Sequence, residues 1–215
     1  MVQGGIMKLT KYQHACFTVE DEGKILVVDP GNFTNDFIAP ENIVGVVITH
    51  EHADHFDHEQ LAAIVDKNPD AIIIGHEAVV SQIEVFQTNA VNVGDTITVG
   101  PFDLEFFGGT HATIHESMPV PANLGVMINE LVYFPGDSFT NPQKPVDTLA
   151  IPASAPWMKI SEAMDFLADI RPRLAFPTHD AILSDPGKGL SDRLLGNIAA
   201  ANDIEYQRLE SPIEI

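Results

Sequence analysis

The chain has 215 residues, of which 45% are hydrophobic, so it is long enough to build a sizeable core as one large domain or two small ones. Its 31 acidic residues outnumber its 11 basic residues and give a formal net charge of −20. This charge argues against partners that carry phosphate, such as nucleic acids and anionic membranes. The single cysteine, Cys16, excludes an internal disulfide bond and a structural zinc site built from several cysteines.

The organisation of the chain indicates a single domain that covers residues 1–215. No linker, charge block or repeat divides the sequence. Residues 1–6 precede the strand-like segment KLTKY and are expected to form a short flexible leader, which lacks the apolar core of a signal peptide. Because no apolar run is long enough to cross a membrane, we expect a cytoplasmic protein.

The first part of the chain is predicted to form strands separated by turns. Strands are expected at KLTKYQH, ACFTVE, ILVVDPG and IVGVVITH. The segment HEQLAAIVDK has the apolar spacing of a helix, which Asn68-Pro69 would end. AIIIG then reads as a short buried strand, and EAVVSQIEVF is predicted to be a second helix.

The second part is again rich in predicted strands. TITVG and FDLEFFGG flank the turn at Gly100-Pro101, and further strands are expected at LGVMINE, LVYFPGD, TLAIPAS and RLAFPTH. Helices are predicted at SEAMDFLADI and SDRLLGNIAAAN. Several strands are apolar on both faces, which indicates sheets that are covered on both sides. We therefore expect two packed sheets with helices outside them.

The run THEHADH places four residues that can bind a metal directly after the apolar strand IVGVVITH: His50, His52, Asp54 and His55. Imidazole and carboxylate together suit zinc, manganese or iron. His50 and His52 are two residues apart and project the same way in extended backbone, whereas Asp54 and His55 point elsewhere. A solvated, histidine-rich turn is the alternative. The buried strand that leads into the cluster favours the core of a site for two metal ions.

Four other apolar strands also end in side chains that can bind a metal. These are Asp29 after ILVV, His111 and His115 after FDLEFFGG, Asp137 after LVYFPG, and His179 and Asp180 after RLAFPT. A lone aspartate at such a place is ordinarily a turn residue or a helix cap, and a lone histidine is ordinarily hydrogen-bonded. The cluster after IVGVVITH changes this expectation, because its metal ions need further ligands.

THEHADH matches the H-x-H-x-D-H motif of the metallo-β-lactamase superfamily, which the chain resembles over nearly its whole length. His111, Asp137 in FPGDS and His179 in FPTH follow in the order of the superfamily's remaining ligands, and YQHACFTV with VVDPG is similar to its N-terminal strands. The segments PASAPWMK and PRLAFPTHD look like those of the small stand-alone hydrolases near the ascorbate-6-phosphate lactonase branch.

The resemblance implies an α/β fold, a four-layer αβ/βα sandwich with the site at one sheet edge. It also implies two divalent ions, zinc in the first place, with manganese or iron as alternatives. One ion would be held by His50, His52 and His111, and the other by Asp54, His55 and His179, with Asp137 between them. His111 is favoured over His115 because it lies nearer the strand end; the two would lie roughly 13 Å apart on an extended strand.

Two alternatives to hydrolysis stay open. The prediction is a hydrolase with two metal ions, whose shared hydroxide cleaves an ester, lactone, amide or phosphodiester of a small molecule. Asp54 and Asp137 are the expected catalytic residues. The alternatives are an iron-loaded site that acts on oxygen or sulfur compounds, and a metal-binding module without activity. Neither a nucleic acid nor a membrane is expected as a partner, a homo-oligomer is left open, and no substrate-binding residue is assigned.

Two residues and one short segment outside the expected ligand set are also considered. Asp29 is predicted to orient a ligand histidine through that histidine's free ring nitrogen. His14 is expected to be a hydrogen-bonded histidine at a strand end rather than part of the lining. Trp157 and Met158 follow a strand in a proline-rich loop, and belong either to the core or to the pocket wall.

Overall fold

Two seven-stranded sheets form the centre of the fold. The computed structural model describes residues 6–215, so the leader predicted at 1–6 lies, except for Ile6, outside the described residues. The first part of the chain forms strands β1 (Lys8–Lys11), β2 (Phe17–Asp21), β3 (Lys24–Val28), β4 (Ile43–Ile48), β5 (Ile72–Gly75) and β6 (Thr88–Ala90), with helices α1 (His58–Lys67) and α2 (Glu77–Val80).

The second part of the chain supplies the other sheet, and its last strand joins the edge of the first sheet. It forms strands β7 (Thr96–Val99), β8 (Phe102–Gly108), β9 (Leu124–Ile128), β10 (Val132–Phe134), β11 (Thr148–Pro152) and β12 (Leu174–Thr178). Helix α3 (Ile160–Ile170) precedes β12, and α4 (Asp185–Ala201) follows it. The chain closes with the short strands β13 (Glu205–Tyr206) and β14 (Ile213–Glu214).

The two sheets are built on the same plan. Their strand orders are β14-β1-β2-β3-β4-β5-β6 and β13-β12-β11-β10-β9-β8-β7. Each joins an antiparallel half to a parallel half, which runs from β3 to β6 in the first sheet and from β10 to β13 in the second. The loops after β3, β4, β10 and β12 leave the carboxyl ends of these parallel strands, which is where ligand sites form in many α/β sheets.

Apolar side chains fill three layers of the molecule. Between the sheets, the ring of Phe17 packs edge-on against Phe134 and Phe176, with centroids 5.7 and 5.8 Å apart. Helices α1 and α2 pack on the outer face of the first sheet, and α3 and α4 on the outer face of the second. The order of layers is helix, sheet, sheet, helix, so the predicted αβ/βα sandwich is confirmed.

Two helices differ from their predicted bounds. The helix predicted at EAVVSQIEVF is the single turn α2, because the chain must straighten after Ser81 to reach β6, which pairs with β5. Helix α4 begins earlier than SDRLLGNIAAAN, since the Ser184 hydroxyl caps it and Pro186 occupies its first turn. Within residues 6–215, no helix is both long and apolar enough to span a membrane.

Candidate metal centre

The loop that follows β4 carries the motif THEHADH and is held in a tight turn. The amides of His55 and Phe56 both donate to the carbonyl of His52, at 3.0 and 2.9 Å. Gly31, in the loop after β3, packs directly on this turn. A Cβ atom on Gly31 would lie 2.0 Å from the carbonyl carbon of Asp54, so only glycine lets the two loops approach this closely.

Asp137 is presented by a turn after β10 that depends on Asn123. The Asn123 side chain accepts a hydrogen bond from the amide of Asp137 at 2.9 Å and donates one to the carbonyl of Pro135 at 2.9 Å. Gly136 has a φ of +63° there, and a Cβ atom on it would lie 2.3 Å from the Asn123 amide oxygen. Sequence reasoning did not find the role of Asn123, because nothing in the segment PANL marks a side chain that supports a loop through hydrogen bonds.

The structure brings all the ligands predicted from the sequence to one place, and all but two of them are buried. The ring nitrogens His50 Nε2 and His52 Nδ1 are 3.1 Å apart. Around Asp137, the Nε2 atoms of His55, His111 and His179 lie 3.1–3.3 Å from its carboxylate oxygens. His179 also lies 3.3 Å from Asp54. These residues come from the ends of β4, β8, β10 and β12.

The ligand atoms fall into three overlapping groups, in each of which they lie within 4.8 Å of one another. One group is His50, His52 and His111, and a second is His14, Asp54, His55 and His179. The third joins His50 and His55 to Asp137. The first two match the two sets of three that the resemblance implies, with His14 added, and Asp137 lies between them.

Four of the histidines turn their Nδ1 atoms outward to hydrogen-bond acceptors. The partners are a carboxylate oxygen of Asp29 for His55 (2.6 Å), the Ser154 carbonyl for His179 (2.7 Å), the Ala112 carbonyl for His111 (2.5 Å) and the Thr49 hydroxyl for His50 (3.0 Å). Each Nδ1 therefore carries a proton, and each Nε2 faces the centre. This outward hydrogen bond is the usual support of a metal-binding histidine.

The inward-facing atoms fit a metal ion. Within residues 6–215, the Nε2 atoms of His55, His111 and His179 and the Oδ1 atom of Asp137 are buried without a hydrogen-bond partner. Unpaired buried polar atoms are costly, at about 1–3 kcal/mol each, and a cation would satisfy them together. The 3.1 Å between His50 Nε2 and His52 Nδ1 is also close to the roughly 3.4 Å expected for two nitrogens on one tetrahedral zinc.

Asp29 is buried and braces the motif, as the sequence predicted. Its carboxylate accepts from the amide of Thr49 at 2.8 Å, from the Thr49 hydroxyl at 2.6 Å and from Nδ1 of His55 at 2.6 Å. Its backbone φ is +45°, which aspartate and asparagine tolerate better than most residues. Asp29 thus fixes both the end of β4 and the ring of His55.

Trp157 contacts the centre through its polar atom. Its indole Nε1 donates to Oδ2 of Asp137 at 2.7 Å, and its ring packs edge-on against Phe139. The sequence left open whether Trp157 belongs to the core or to a pocket wall, and it missed this hydrogen bond. The requirement of a buried indole for an acceptor was a usable clue. The neighbouring Met158 packs in the core between the second sheet and its helices.

Three other residues that the sequence singled out differ in their positions and contacts. His115 lies on the exposed loop surface, where its Nδ1 atom is 2.8 Å from the Ser117 hydroxyl, so it is outside the cluster. The Asp180 carboxylate turns away to pair with Arg208. His14, which we expected to be satisfied apart from the site, is fully buried and places Nε2 2.9 Å from Oδ2 of Asp54.

Without an ion, the charges within the cluster hold protons on some of its histidines. Burial alone would lower the pKa of His179, but the carboxylates of Asp137 and Asp54 raise it to about 9. The pKa of His55 is set in the same way. Burial alone would lower it, but the carboxylates of Asp137 and Asp29 raise it well above the ordinary value. Burial lowers the pKa of His14 to about 4, so His14 is neutral at pH 7.

A cavity of about 270 Å³ lies beside the centre, on the side of His14. Its walls include the apolar side chains of Phe33 and Ile182, and the polar side chains of Gln13 and Lys188. Asp180, next to His179 in the chain, also lines it. The cavity is slightly smaller than the roughly 300–1,000 Å³ that is usual for small-molecule sites, and its lining is mixed, as in such sites.

Comparisons with known proteins agree with this fold. Residues 8–179 match the family described as the Beta-lactamase superfamily domain. Protein Rv0786c of Mycobacterium tuberculosis is 35% identical over 189 residues, which cover 86% of this chain and 89% of that protein.

Two further similarities extend over most of the chain. The UPF0173 metal-dependent hydrolase of Carboxydothermus hydrogenoformans is 26% identical over 194 residues, covering 80% of this chain and 84% of that protein. The crystal structure of the metallo-beta-lactamase fold protein YhfI of Bacillus subtilis superposes with a TM-score of 0.75 at 18% identity, covering 99% of this chain and all of that one.

Proposed function

This chain belongs to the metallo-β-lactamase superfamily, and we propose that it is a hydrolase whose centre holds two divalent metal ions. The observation that carries the proposal is the set of buried, inward-facing atoms without hydrogen-bond partners on His55, His111, His179 and Asp137. The name of the Carboxydothermus relative, a metal-dependent hydrolase, supports the same activity. We assign His50, His52 and His111 to one ion and Asp54, His55 and His179 to the other, with Asp137 between them.

Zinc suits this set of imidazole and carboxylate ligands best, and manganese or iron could replace it. Ions of this kind supply Lewis acidity and a water that is nucleophilic at neutral pH. No serine or cysteine nucleophile is needed. The substrate bond is an ester, lactone, amide or phosphodiester of a small molecule, whose non-reacting part would occupy the cavity beside His14.

The chain's own residues prepare this site. Asp137 brings negative charge to its middle, and the indole of Trp157 holds one of its oxygens, which leaves the other oxygen free to face the centre. Asp54 lies on the solvent-exposed side of the candidate centre, with its side chain 22% exposed, so it can contact both an ion and a substrate. We propose Asp54 and Asp137 as the catalytic carboxylates.

A comparison of two histidine variants tests the metal site. We expect two zinc ions per wild-type chain and fewer than two in His111→Ala, because His111 is buried and faces Asp137 at 3.3 Å. His115→Ala is the matched control: it comes from the same loop but is exposed, so it should keep both ions. Elemental analysis after zinc reconstitution gives the counts, and the same samples are assayed on simple esters, lactones, amides and phosphodiesters.

Several outcomes would contradict the proposal. Fewer than one ion in the wild type would exclude the centre. Two ions without hydrolysis of any substrate would favour the non-catalytic module, and bound iron with oxygen consumption would favour the redox alternative. Loss of zinc in His115→Ala but not in His111→Ala would reverse the assignment of the histidine ligand.

Metal binding is expected to release protons at pH 7. Since the pKa of His179 is raised to about 9 in the metal-free protein, its Nε2 atom holds a proton that an ion must displace. Affinity for zinc should therefore rise between pH 7 and 9, and the number of protons released per ion should fall as the pH passes 9. Calorimetry in two buffers of different ionisation enthalpy measures both. Equal affinities at pH 7 and 9 would show that these histidines are already neutral.

A further inference from the structure

We propose that His14 is a positioning residue, which fixes the Asp54 carboxylate for the second ion by donating a hydrogen bond and is not itself a ligand. The inference rests on the proposed function, since it concerns the same two-ion centre. His14 lies in the turn between β1 and β2, far in the chain from Asp54, and shares a group of potential ligand atoms with Asp54, His55 and His179. Proximity alone would make it a fourth ligand of that ion.

The hydrogen bonds of the His14 ring decide against a ligand. Its Nδ1 atom accepts from the amide of Ala181 at 3.3 Å, so this nitrogen carries no proton. A neutral imidazole has one proton, which must then lie on Nε2, 2.9 Å from Oδ2 of Asp54. A protonated Nε2 has no lone pair to give to an ion.

The other buried histidines of the centre have the opposite polarity. The Nδ1 atoms of His50, His55, His111 and His179 face acceptors, whereas Nδ1 of His14 faces a donor. In the neutral rings that a metal ion would bind, the inward nitrogen is therefore an acceptor in those four and a donor in His14. A donor at that place fits a carboxylate, and the carboxylate of Asp54 is there.

The backbone of His14 supports a second predicted ligand. Its carbonyl accepts from the amide of His179 at 3.0 Å and from the ammonium of the half-buried Lys11 at 2.6 Å. The imidazole rings of His14 and His179 also pack against each other, with centroids 4.1 Å apart and an angle of 50° between their planes. The side chain of His14 thus fixes Asp54, while its main chain fixes the end of β12.

Asp54 needs such support because of where it lies. It is the one predicted ligand of the second ion that is partly exposed, with a side-chain exposure of 22% against 0% for His55 and 3% for His179. Its 2.9 Å contact with His14 is its closest to a titratable side chain within residues 6–215. Without that donor, the carboxylate could rotate toward water, and the second ion would lose a preorganised ligand.

Two variants separate hydrogen bonding from packing. His14→Leu keeps an apolar bulk and removes the donor, whereas His14→Gln can place an amide N–H near the position of Nε2. Both share the positive φ of 56° at this position, so backbone strain affects them alike. Chelator competition with zinc should show the second ion bound 10–100-fold more weakly in His14→Leu. The first ion should be retained, and His14→Gln should recover most of the loss.

Nitrogen NMR of the zinc-loaded wild type, labelled with ¹⁵N in histidine, reads the protons directly and does not depend on activity. We expect the proton on Nε2 of His14 and on Nδ1 of His50, His55, His111 and His179. A proton on Nδ1 of His14, or wild-type affinity for both ions in His14→Leu, would overturn the inference while leaving the hydrolase proposal intact. A wild type that binds fewer than two zinc ions would overturn both.

Discussion

Replacing Asp137 with asparagine should reduce hydrolysis by a factor on the order of 10²–10³, the loss found when one hydrogen-bonding group is removed from a preorganised oxyanion hole. The fold should survive, because the amide has nearly the shape of the carboxylate. The loss follows from position: Asp137 is 2% exposed, and its oxygens lie within 3.3 Å of three inward-facing imidazoles. An amide there brings no charge and turns an N–H toward one of those nitrogens.

The matched control is Asp203→Asn, which makes the same change of charge in an exposed turn. Steady-state kinetics on any substrate that the wild type cleaves measures the effect, and the pH–rate profile adds a second test. The remaining activity of Asp137→Asn should show a shifted pH dependence, since in the proposed centre the charge of Asp137 would influence the acidity of a metal-bound water. Full activity with an unshifted profile and two bound ions would show that Asp137 is only a turn residue.

The sequence identified which side chains come together where the candidate ligands follow apolar strands. His50, His111, Asp137 and His179 each lie at or just beyond a strand end. The parallel halves of the two sheets bring the ends of β4, β10 and β12 to one edge, and β8 ends at the same edge because β8 and β10 both pair antiparallel with β9. The apolar runs identify the strands, and adjacency in the chain identifies the residues. Both are local properties, so the sequence carries them without knowledge of the tertiary contacts.

The supporting contacts could not be read in the same way. Trp157 is 20 residues from Asp137 and His14 is 40 residues from Asp54, so no local pattern links either pair. For His14 the chemistry also depends on which ring nitrogen meets the amide of Ala181, 167 residues away. Hydrogen-bond polarity of this kind exists only after the two sheets have packed, which is why we expected His14 to lie apart from the site.

Asp29 is the one supporting residue whose role was predicted from the sequence, in the segment VVDPG. Its contacts predict a large loss of stability when it is replaced. It is 0% exposed and accepts three hydrogen bonds, two from Thr49 and one from His55. In Asp29→Ala those donors lose their acceptor. We expect the free energy of unfolding of the metal-free protein to fall by about 3–5 kcal/mol, as when one partner of a buried ionic pair is removed.

Asp29→Asn separates the charge from the shape of this side chain. Asparagine tolerates the φ of +45°, and its oxygen can still accept from the amide of Thr49. The NH2 group that replaces the other oxygen, however, can accept from neither the Thr49 hydroxyl nor Nδ1 of His55. The His55 ring then loses the acceptor that keeps its proton on the outer nitrogen, so zinc affinity should fall by about 10–100-fold with a smaller loss of stability than in Asp29→Ala.

Asp203→Asn is again the control, because Asp203 has a φ of +59° in an exposed turn and undergoes the same chemical change. Urea unfolding of the metal-free proteins gives the stability differences, and chelator competition gives the zinc affinities. If Asp29→Asn binds zinc like the wild type, the carboxylate does not orient His55 and only fills space beneath the motif. If Asp29→Ala is as stable as Asp203→Asn, the three hydrogen bonds contribute nothing to folding, and the turn after β4 is held by its own hydrogen bonds to the His52 carbonyl and by the packing of Gly31.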